Sequence, residues 1–383
     1  MGYVHVEVIK SQSAKNNAAI CGDVIAEERK KNSTTVILSD GLGSGVKANI
    51  YATMSAARLK ELISYGASLR KSFASLVKTM NSAPKDDLPY SAFSVCRILN
   101  NGMATILSYD MPNAIFISGR FAYILPAKTI YIENSMISEL NATLKNGDAL
   151  LLMSDGITAA GMGTYFTEGW NINDVKDFIQ KKLNTGIKLA DIPSAVKNKA
   201  AEYWNFQPHD DLSVILIRSR KGTVVNLLTG PPQSKTKDKS VVSKFLSLEG
   251  YKIICGGTTA QMVSHITDRQ LVMDDEDYSN VLTPPKYSMK GIDLVTEGVV
   301  TLNQLYNLLD ADPKKIPGNN PVSDLYFYMM AADSIHFLVG SAYNNASSDI
   351  SLTQLGILTR NKIIPLLVDE LRKKEKLVTI EYL

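Results

Sequence analysis

The chain has 383 residues, too many for one ordinary domain, so two are expected. Hydrophobic residues make up 45% and charged residues 21%, the balance of a globular chain with a sizeable core. The formal net charge of +3 implies no strong field toward nucleic acid or a membrane surface, and no stretch approaches the roughly 18 uncharged apolar residues of a membrane span.

Local basic runs, "RKKN" at 29–32, "SKTKDK" at 234–239 and "LRKKEK" at 371–376, read as solvated turns and helix ends. Cys21, Cys96 and Cys255 lie far apart and are odd in number, so neither a zinc site nor a disulfide framework is expected. The start "MGYVHVEVIK" carries charge early and lacks the apolar core of a signal peptide, and Val6 breaks the N-myristoylation pattern. A cytoplasmic protein is expected, with neither nucleic acid nor membrane as partner.

In chain order, "YVHVEVI" alternates as a strand, and "AAICGDVIAEE" and "STTVILSD" supply the next two. A helix is expected over 47–64, where Ala48, Ala52, Ser55, Leu59, Leu62 and Ile63 share a face and Gly66 follows the end. A second helix is expected at about 70–82. Four short strands come next, "SAFSVCRIL", "GMATILSY", "AIFISG" and "AYILPA", with turns such as "NNG" and "DMPN" between them. "KTIYIE" and "DALLLMS" continue the pattern, helices recur at about 171–184 and 188–203, and "LSVILIRS" closes the unit. Strand runs interrupted by paired helices predict an α+β fold over residues 1–226, a two-sheet antiparallel β-sandwich flanked by helices.

The Pro-, Gly- and charge-rich "LLTGPPQSKTKDKS" predicts a linker at 227–240. Beyond it, "YKIICGGTTAQMVSHI" reads as strand, glycine turn and helix. "GIDLVTEGVVTLNQLYNLL" and "IHFLVGSAYN" are similar, and "LTRNKIIPLLVDELRKKEK" is a helix before a last strand, "LVTIEYL". This alternation predicts a smaller α/β domain at 241–383.

Three apolar strands carry acidic ends. "TTVILSDGLGSGVKA" (34–48) ends its strand on Asp40, "ALLLMSDGIT" (149–158) delivers Asp155–Gly156, and "HDDLSVILIR" (209–218) puts Asp210 and Asp211 just before a strand. An aspartate after one strand and an aspartate before its antiparallel neighbour lie on the same sheet edge, so Asp40, Asp155 and Asp210 can converge. Convergent carboxylates hold protons or recruit a cation. Oxygen-only ligands suit magnesium or manganese, and with only four histidines zinc is disfavoured. Two such ions about 3.5–4 Å apart, sharing one carboxylate, can acidify a water for in-line attack on phosphorus. A single Asp-Gly is more often a turn, and "DGLGSG" lacks the Lys-Ser/Thr ending of a P-loop. On spacing alone, three acidic turns remain an equal alternative.

In that order, "SDGLGSGVKA", "LKNGDALLLMSDGIT" and "HDDLSVILI" resemble the metal-dependent protein phosphatase superfamily. The branch they resemble is the phosphatase domain of stage II sporulation protein E and the related stress-response phosphatases of bacteria. The resemblance covers about residues 1–220. It implies a helix-flanked β-sandwich and a binuclear Mn2+ or Mg2+ centre, with Asp40, Asp155 and Asp210 as the catalytic carboxylates. It implies that Asp40 bridges both ions, that Gly41 offers its carbonyl to one, and that Asp155 and Asp210 each ligate one. Asp23 in "ICGDV" matches the acidic position of the first motif, where a carboxylate holds metal-bound water; Val24 and Ile25 stand where this branch has an aromatic residue. Asp211 takes a supporting role behind the ligands. His209 either donates a proton to the leaving alkoxide or, the more ordinary role, caps the strand. The implied activity is hydrolysis of phosphoserine or phosphothreonine without a cysteine nucleophile. The implied partner is a phosphorylated bacterial regulatory protein of the anti-sigma-factor-antagonist kind.

No family resemblance covers 241–383. In "CGGTTAQMV" (255–263), Gly256, Gly257, Thr258 and Thr259 open a helix whose backbone N–H groups and hydroxyls suit a small anion. "VTEGVVTL" (295–302) and "VGSAYN" (339–344) are further small-residue turns, and parallel strands would gather all three at one sheet edge. Ordinary tight strand-to-helix packing is the alternative. A ligand there would make the domain a sensor that tunes the phosphatase, while the loop "PPKYSMK" (284–290) offers a protein-docking alternative. The leading reading is an active phosphatase with a C-terminal regulatory domain. Against it stand a catalytically inactive phosphoprotein-binding protein, disfavoured because all three principal aspartates are present, and a C-terminal enzyme, disfavoured because no acid-base constellation follows residue 240.

Overall fold

The computed structural model describes residues 3–16, 18–82, 90–132, 134–273, 284–318, 320–342 and 356–383. The chain divides into two units, 3–221 and 222–383. The end of "VGSAYN", residues 343 and 344, lies outside the described residues.

The first unit is built on two antiparallel sheets. One runs in the order β1 (Val4–Ser13), β11 (Leu212–Lys221), β10 (Ala149–Met153), β6 (Ile115–Ser118), β7 (Phe121–Ile124). The other runs β2 (Val24–Lys30), β3 (Ser33–Gly41), β4 (Ser91–Leu99), β5 (Met103–Tyr109), β9 (Ser135–Thr143), β8 (Lys128–Ile132).

Side-chain alternation along the strands sets the layers. Val36 and Leu38 of β3 share one core with Leu150 and Leu152 of β10 and Ile215 and Ile217 of β11, so the two sheets pack face to face. The intervening residues face outward. Ile37, Phe93 and Val95 pack on Leu59 and Ile63 of α1 (Gly45–Ser64) and on Phe73 and Val77 of α2 (Leu69–Ser82). Leu151, Met153, Val214 and Leu216 pack instead on α4 (Ile172–Asn184) and α5 (Ile192–Tyr203), through Val175, Ile179 and Val196. A one-turn helix, α3 (Asp155–Thr158), follows β10. The result is the expected helix–sheet–sheet–helix sandwich. The helix expected at 188–203 starts only at Ile192, where Pro193 suits the first turn, after a 3-10 turn at Leu189–Asp191.

The second unit holds one sheet in the order β14 (Leu271–Met273), β15 (Lys286–Met289), β16 (Leu294–Thr296), β13 (Tyr251–Cys255), β12 (Val224–Thr229), β17 (Ser334–Val339), β18 (Leu377–Tyr382). From β16 to β18 neighbours are parallel, and β14 and β15 add an antiparallel edge. Numbered by chain position, the parallel strands run 3-2-1-4-5, a doubly wound order. Helices α6 (Asp238–Ser247) and α7 (Gly257–Thr267) cover one face. Helices α8 (Val299–Leu308), α9 (Pro321–Ala331) and α10 (Arg360–Lys373) cover the other.

The boundary differs from the one the sequence suggests. Residues 222–226, expected in the first domain, and much of the expected linker 227–240 belong to the second unit. "VVNLLT" is its central strand, with Val225, Leu227 and Leu228 fully buried. The Pro-Gly and lysine-rich run after it is a strand-to-helix turn and the start of α6 at Asp238. No helix of the described residues is long and apolar enough to cross a membrane.

Candidate metal centre

Strand register brings the acidic residues together in pairs. In the β2–β3 ladder Val24 faces Ser39, which sets Asp23, the residue before β2, beside Asp40 near the end of β3. In the β10–β11 ladder Met153 faces Val214, which sets Asp155 on the same edge as Asp210. Each sheet therefore supplies one aspartate at the end of a strand and one just before the start of its antiparallel neighbour. Asp40 thus reaches the other two from the facing sheet rather than along their own edge.

Electrostatics tie the two pairs into one cluster. The Asp40 carboxyl is pushed up to about 10, first by burial, then by the charges of Asp23 and Asp155, the closeness of the Asp155 carboxyl, and Asp210. Burial also raises Asp23, to about 6; the hydroxyls of Ser213 and Ser154 draw it down, and Asp211 and Asp210 raise it again. Asp210 is raised by burial and by Asp155 and Asp211, against the bond it accepts from the Asp211 N–H and the charge of Lys15. Carboxylates that raise one another in this way are each stabilised by a shared cation.

The Asp-Gly pairs have a steric cause. A Cβ on Gly41 would stand 1.9 Å from the Ala48 carbonyl oxygen, and one on Gly156 would stand 2.2 Å from the Asp211 carbonyl oxygen. Only glycine lets α1 fold back onto the end of β3, and only glycine lets the turn after β10 touch the chain entering β11. The acidic residue and its glycine form one device: the glycine brings the backbones close enough for the carboxylates to interact.

Asp211 has a bracing role. Its buried carboxylate accepts from the N–H groups of Lys15 at 3.0 Å and Gly22 at 2.9 Å, fixing the loop that presents Asp23. The Ser154 hydroxyl donates to the Asp211 carbonyl at 3.3 Å and accepts from the Ser213 N–H at 3.1 Å. Gln12 Nε2 donates to Ser213 Oγ at 2.9 Å and reaches the Asp23 carbonyl at 3.5 Å. Gln12, Ser154 and Ser213 carry no sequence signal as site residues, because their roles depend on the pairing of β1, β10 and β11. His209 is exposed and its ring lies 4.5 Å from that of Trp204, a packing contact that accounts for it. The Cys21 thiol is pushed up to about 12 by burial and by Asp23 and Asp211, which leaves it protonated and unsuited to nucleophilic attack.

The donor set fits hard divalent cations. Asp23 is 3% exposed, and both its carboxylate oxygens are buried with no hydrogen-bond partner. The serine hydroxyls near it therefore soften its charge without making bonds of proper geometry. Among the described residues no three His, Cys, Asp or Glu side chains already stand as a ligand set, so an ion would draw these carboxylates together. The orphaned oxygens and the mutual repulsion both favour that movement.

Residues 30–220 match the family model of stage II sporulation protein E. The first unit belongs to this family. The matched span contains Asp40, Gly41, Asp155 and Asp210 and stops one residue short of the unit boundary; Asp23 precedes it. No curated protein matches the chain. Among solved structures, the phosphatase domain of the cell-fate determinant SpoIIE from Bacillus subtilis is similar at 18% identity, covering 58% of this chain and 96% of that one with a TM-score of 0.45. The RsbU and RsbW domains of a Mycobacterium tuberculosis protein are similar at 14% identity, over 64% of this chain and 69% of that one, TM-score 0.48. A structure of RsbX in complex with magnesium is similar at 18% identity, over 57% of this chain and 100% of that one, TM-score 0.41.

Proposed function

We propose that the sporulation E-like unit is a metal-dependent protein serine/threonine phosphatase acting in bacterial signalling. Asp40, Asp155 and Asp210 would be its catalytic carboxylates, and with Asp23 and the Gly41 carbonyl they would hold two Mn2+ or Mg2+ ions. The reading is supported above all by the buried, unpartnered carboxylate of Asp23 beside Asp40, in a cluster whose members raise one another's pKa. Bound ions would supply positive charge for the phosphoryl oxygens and acidity for an attacking water.

The chain's own residues would do the rest. Asp40, at the seam of the two sheets, would be the shared carboxylate. Asp155 and Asp210 would each anchor one side, held in register by the β10–β11 ladder. Asp211, through the loop at Lys15 and Gly22, would orient Asp23. The substrate would be a phosphorylated protein of the anti-sigma-factor-antagonist kind in the cytoplasm, and the second unit would be regulatory.

Hydrolysis of a phosphoserine peptide with added manganese tests this reading, with calorimetry of Mn2+ binding alongside. Activity should vanish in EDTA and fall at least about a hundredfold in Asp155→Asn, the scale of lost transition-state charge stabilisation. Full activity under either condition contradicts it. A second reading, a catalytically inactive phosphoprotein-binding unit, is favoured by the lack of a ready ligand set among the described residues. Peptide binding without turnover in saturating manganese would select it.

A further inference from the structure

At the carboxyl ends of its parallel strands the second unit holds a cavity of about 340 Å³. There β12 and β17 are neighbours, yet α6 covers one face of the sheet and α10 the other. This divergence is the crevice in which doubly wound sheets take ligands. Turns after β12, β13 and β16 wall the cavity, at Gly230, Gly257 and Gly298, and Arg360, the first residue of α10, enters from the remaining side.

Arg360 gives the cavity its sign. Its Nη2 donates to the Ala342 carbonyl at 3.0 Å, while its Nε is buried with no acceptor. Among the described residues no carboxylate lies within ion-pair distance of it, and burial alone pulls its pKa below the ordinary guanidinium value. A cation partly withdrawn from water without a counter-ion is costly until an anion completes it.

A second feature faces the same space. Helix α7 begins after Gly256, which has no side chain to cap it, and no partner for the N–H groups of Gly257, Thr258 and Thr259 is found among the described residues. These N–H groups carry the positive end of the helix dipole. Of the two threonines, Thr259 is already engaged, its hydroxyl accepting from the Gly230 N–H at 2.8 Å; Thr258 is exposed. Glu297 also lines the cavity, with Oε2 accepting from the Val300 N–H at 3.2 Å. A carboxylate there disfavours a bare inorganic anion but welcomes hydroxyl donors.

We propose that this cavity binds a small phosphate ester bearing hydroxyl groups, its phosphate between Arg360 and the start of α7 and its hydroxyls at Glu297. The proposal is independent of the phosphatase reading, and either can fail alone.

Calorimetry of the full chain in EDTA, with ribose 5-phosphate, AMP, ribose and inorganic phosphate, tests it. Both esters should bind, ribose should not, and inorganic phosphate should bind at least tenfold more weakly. Binding of AMP without ribose 5-phosphate still supports the site and assigns it to nucleotides. Arg360→Gln should weaken ester binding at least tenfold, and Glu297→Gln should erase the preference over inorganic phosphate. Gly257→Asp is the safeguard against misfolding: a Cβ there meets open space, and an acid in the first helical turn is favourable, so the fold should stand while the anion is repelled. No binding of either ester at millimolar concentration, or unchanged ester binding in Gly257→Asp, overturns the proposal.

Discussion

The two units use the same local device, a glycine-bearing turn at the end of a buried strand, to opposite electrostatic ends. In the first, Asp23, Asp40 and Asp155 each adjoin a glycine, and register across two sheets gathers them with Asp210 into mutual repulsion. In the second, the turns after β12 and β13 carry no carboxylate, and backbone N–H groups with one guanidinium dominate, tempered by Glu297. The glycines differ as well. Gly41 and Gly156 are required by backbone contact, whereas Gly257 has open space where a side chain would go. A glycine-rich turn therefore indicates neither a cation nor an anion site until its neighbours and its packing are known.

Removing the carboxylate at the seam should break the comparison most severely. Asp40→Asn is expected to lower phosphatase turnover by about 10²–10³-fold, as one charge-positioning group is lost. It should leave ester binding by the second unit unchanged. Phosphopeptide turnover and calorimetry on one preparation check both halves, and a turnover loss below threefold would remove Asp40 from the catalytic role.

The acidic cluster should also declare itself through pH. In the metal-free protein the folded Asp23 titrates near 6, above its ordinary value, so the native state holds protons that the unfolded chain has released. Stability contributed by this proton is present below about pH 4 and is lost as pH rises through 6, an effect of up to about 3 kcal/mol. Asp40, raised further, extends the decline into alkaline solution. Urea titrations between pH 4 and 8 should show the fall, and Asp23→Asn should flatten its lower part. Divalent ions should reverse the trend, because the carboxylates must lose protons to bind them. Both tryptophans, Trp170 and Trp204, lie in the first unit, so their fluorescence reports on it alone.

The glycine contrast can be sharpened by equal substitutions. Gly156→Ala forces a clash with the Asp211 backbone and should cost about 1–3 kcal/mol, while displacing Asp155 from Asp210. Gly257→Ala, at the start of α7 with no neighbour in reach, should be neutral or stabilising by about 0.4–1 kcal/mol. Denaturation followed by tryptophan fluorescence for the first and by circular dichroism for the second separates them. Equal costs would mean that close backbone approach is not what fixes Gly156.

What was legible in the sequence follows the range of the interactions. Asp40, Asp155 and Asp210 stand out because each lies two residues from an apolar strand run, a local signal. Their division between two sheets does not, because β1 pairs with β11 across nearly the whole unit and no local pattern encodes that ladder. The same range explains Gln12, Ser154 and Ser213, which meet only through it. The misplaced boundary has a different cause. β12 follows β11 after only Gly222 and Thr223, so "VVNLLT" reads as a continuation of the first unit, and its parallel partners appear only later in the chain. In the second unit the helix start at Gly257 is local and legible, but Arg360 reaches the cavity from β17's far side of the sheet and is invisible beforehand.

The smallest expected effect concerns His209, adjacent in sequence to Asp210 and the residue best placed by sequence alone to serve as a proton donor. The structure gives it another occupation: an exposed ring resting on Trp204 at 4.5 Å. A group held by packing contributes little to a transition state, so His209→Ala should change turnover by no more than about threefold, well below the 10²–10⁴-fold that general acid catalysis supplies. The pH profile of kcat distinguishes the roles more sharply than the rate does. A donor would impose a limb on the profile that disappears in the variant, whereas a packing residue leaves the profile's shape intact. Loss of that limb together with a tenfold slower turnover would return His209 to the catalytic group and make the Trp204 contact the means of aiming its ring.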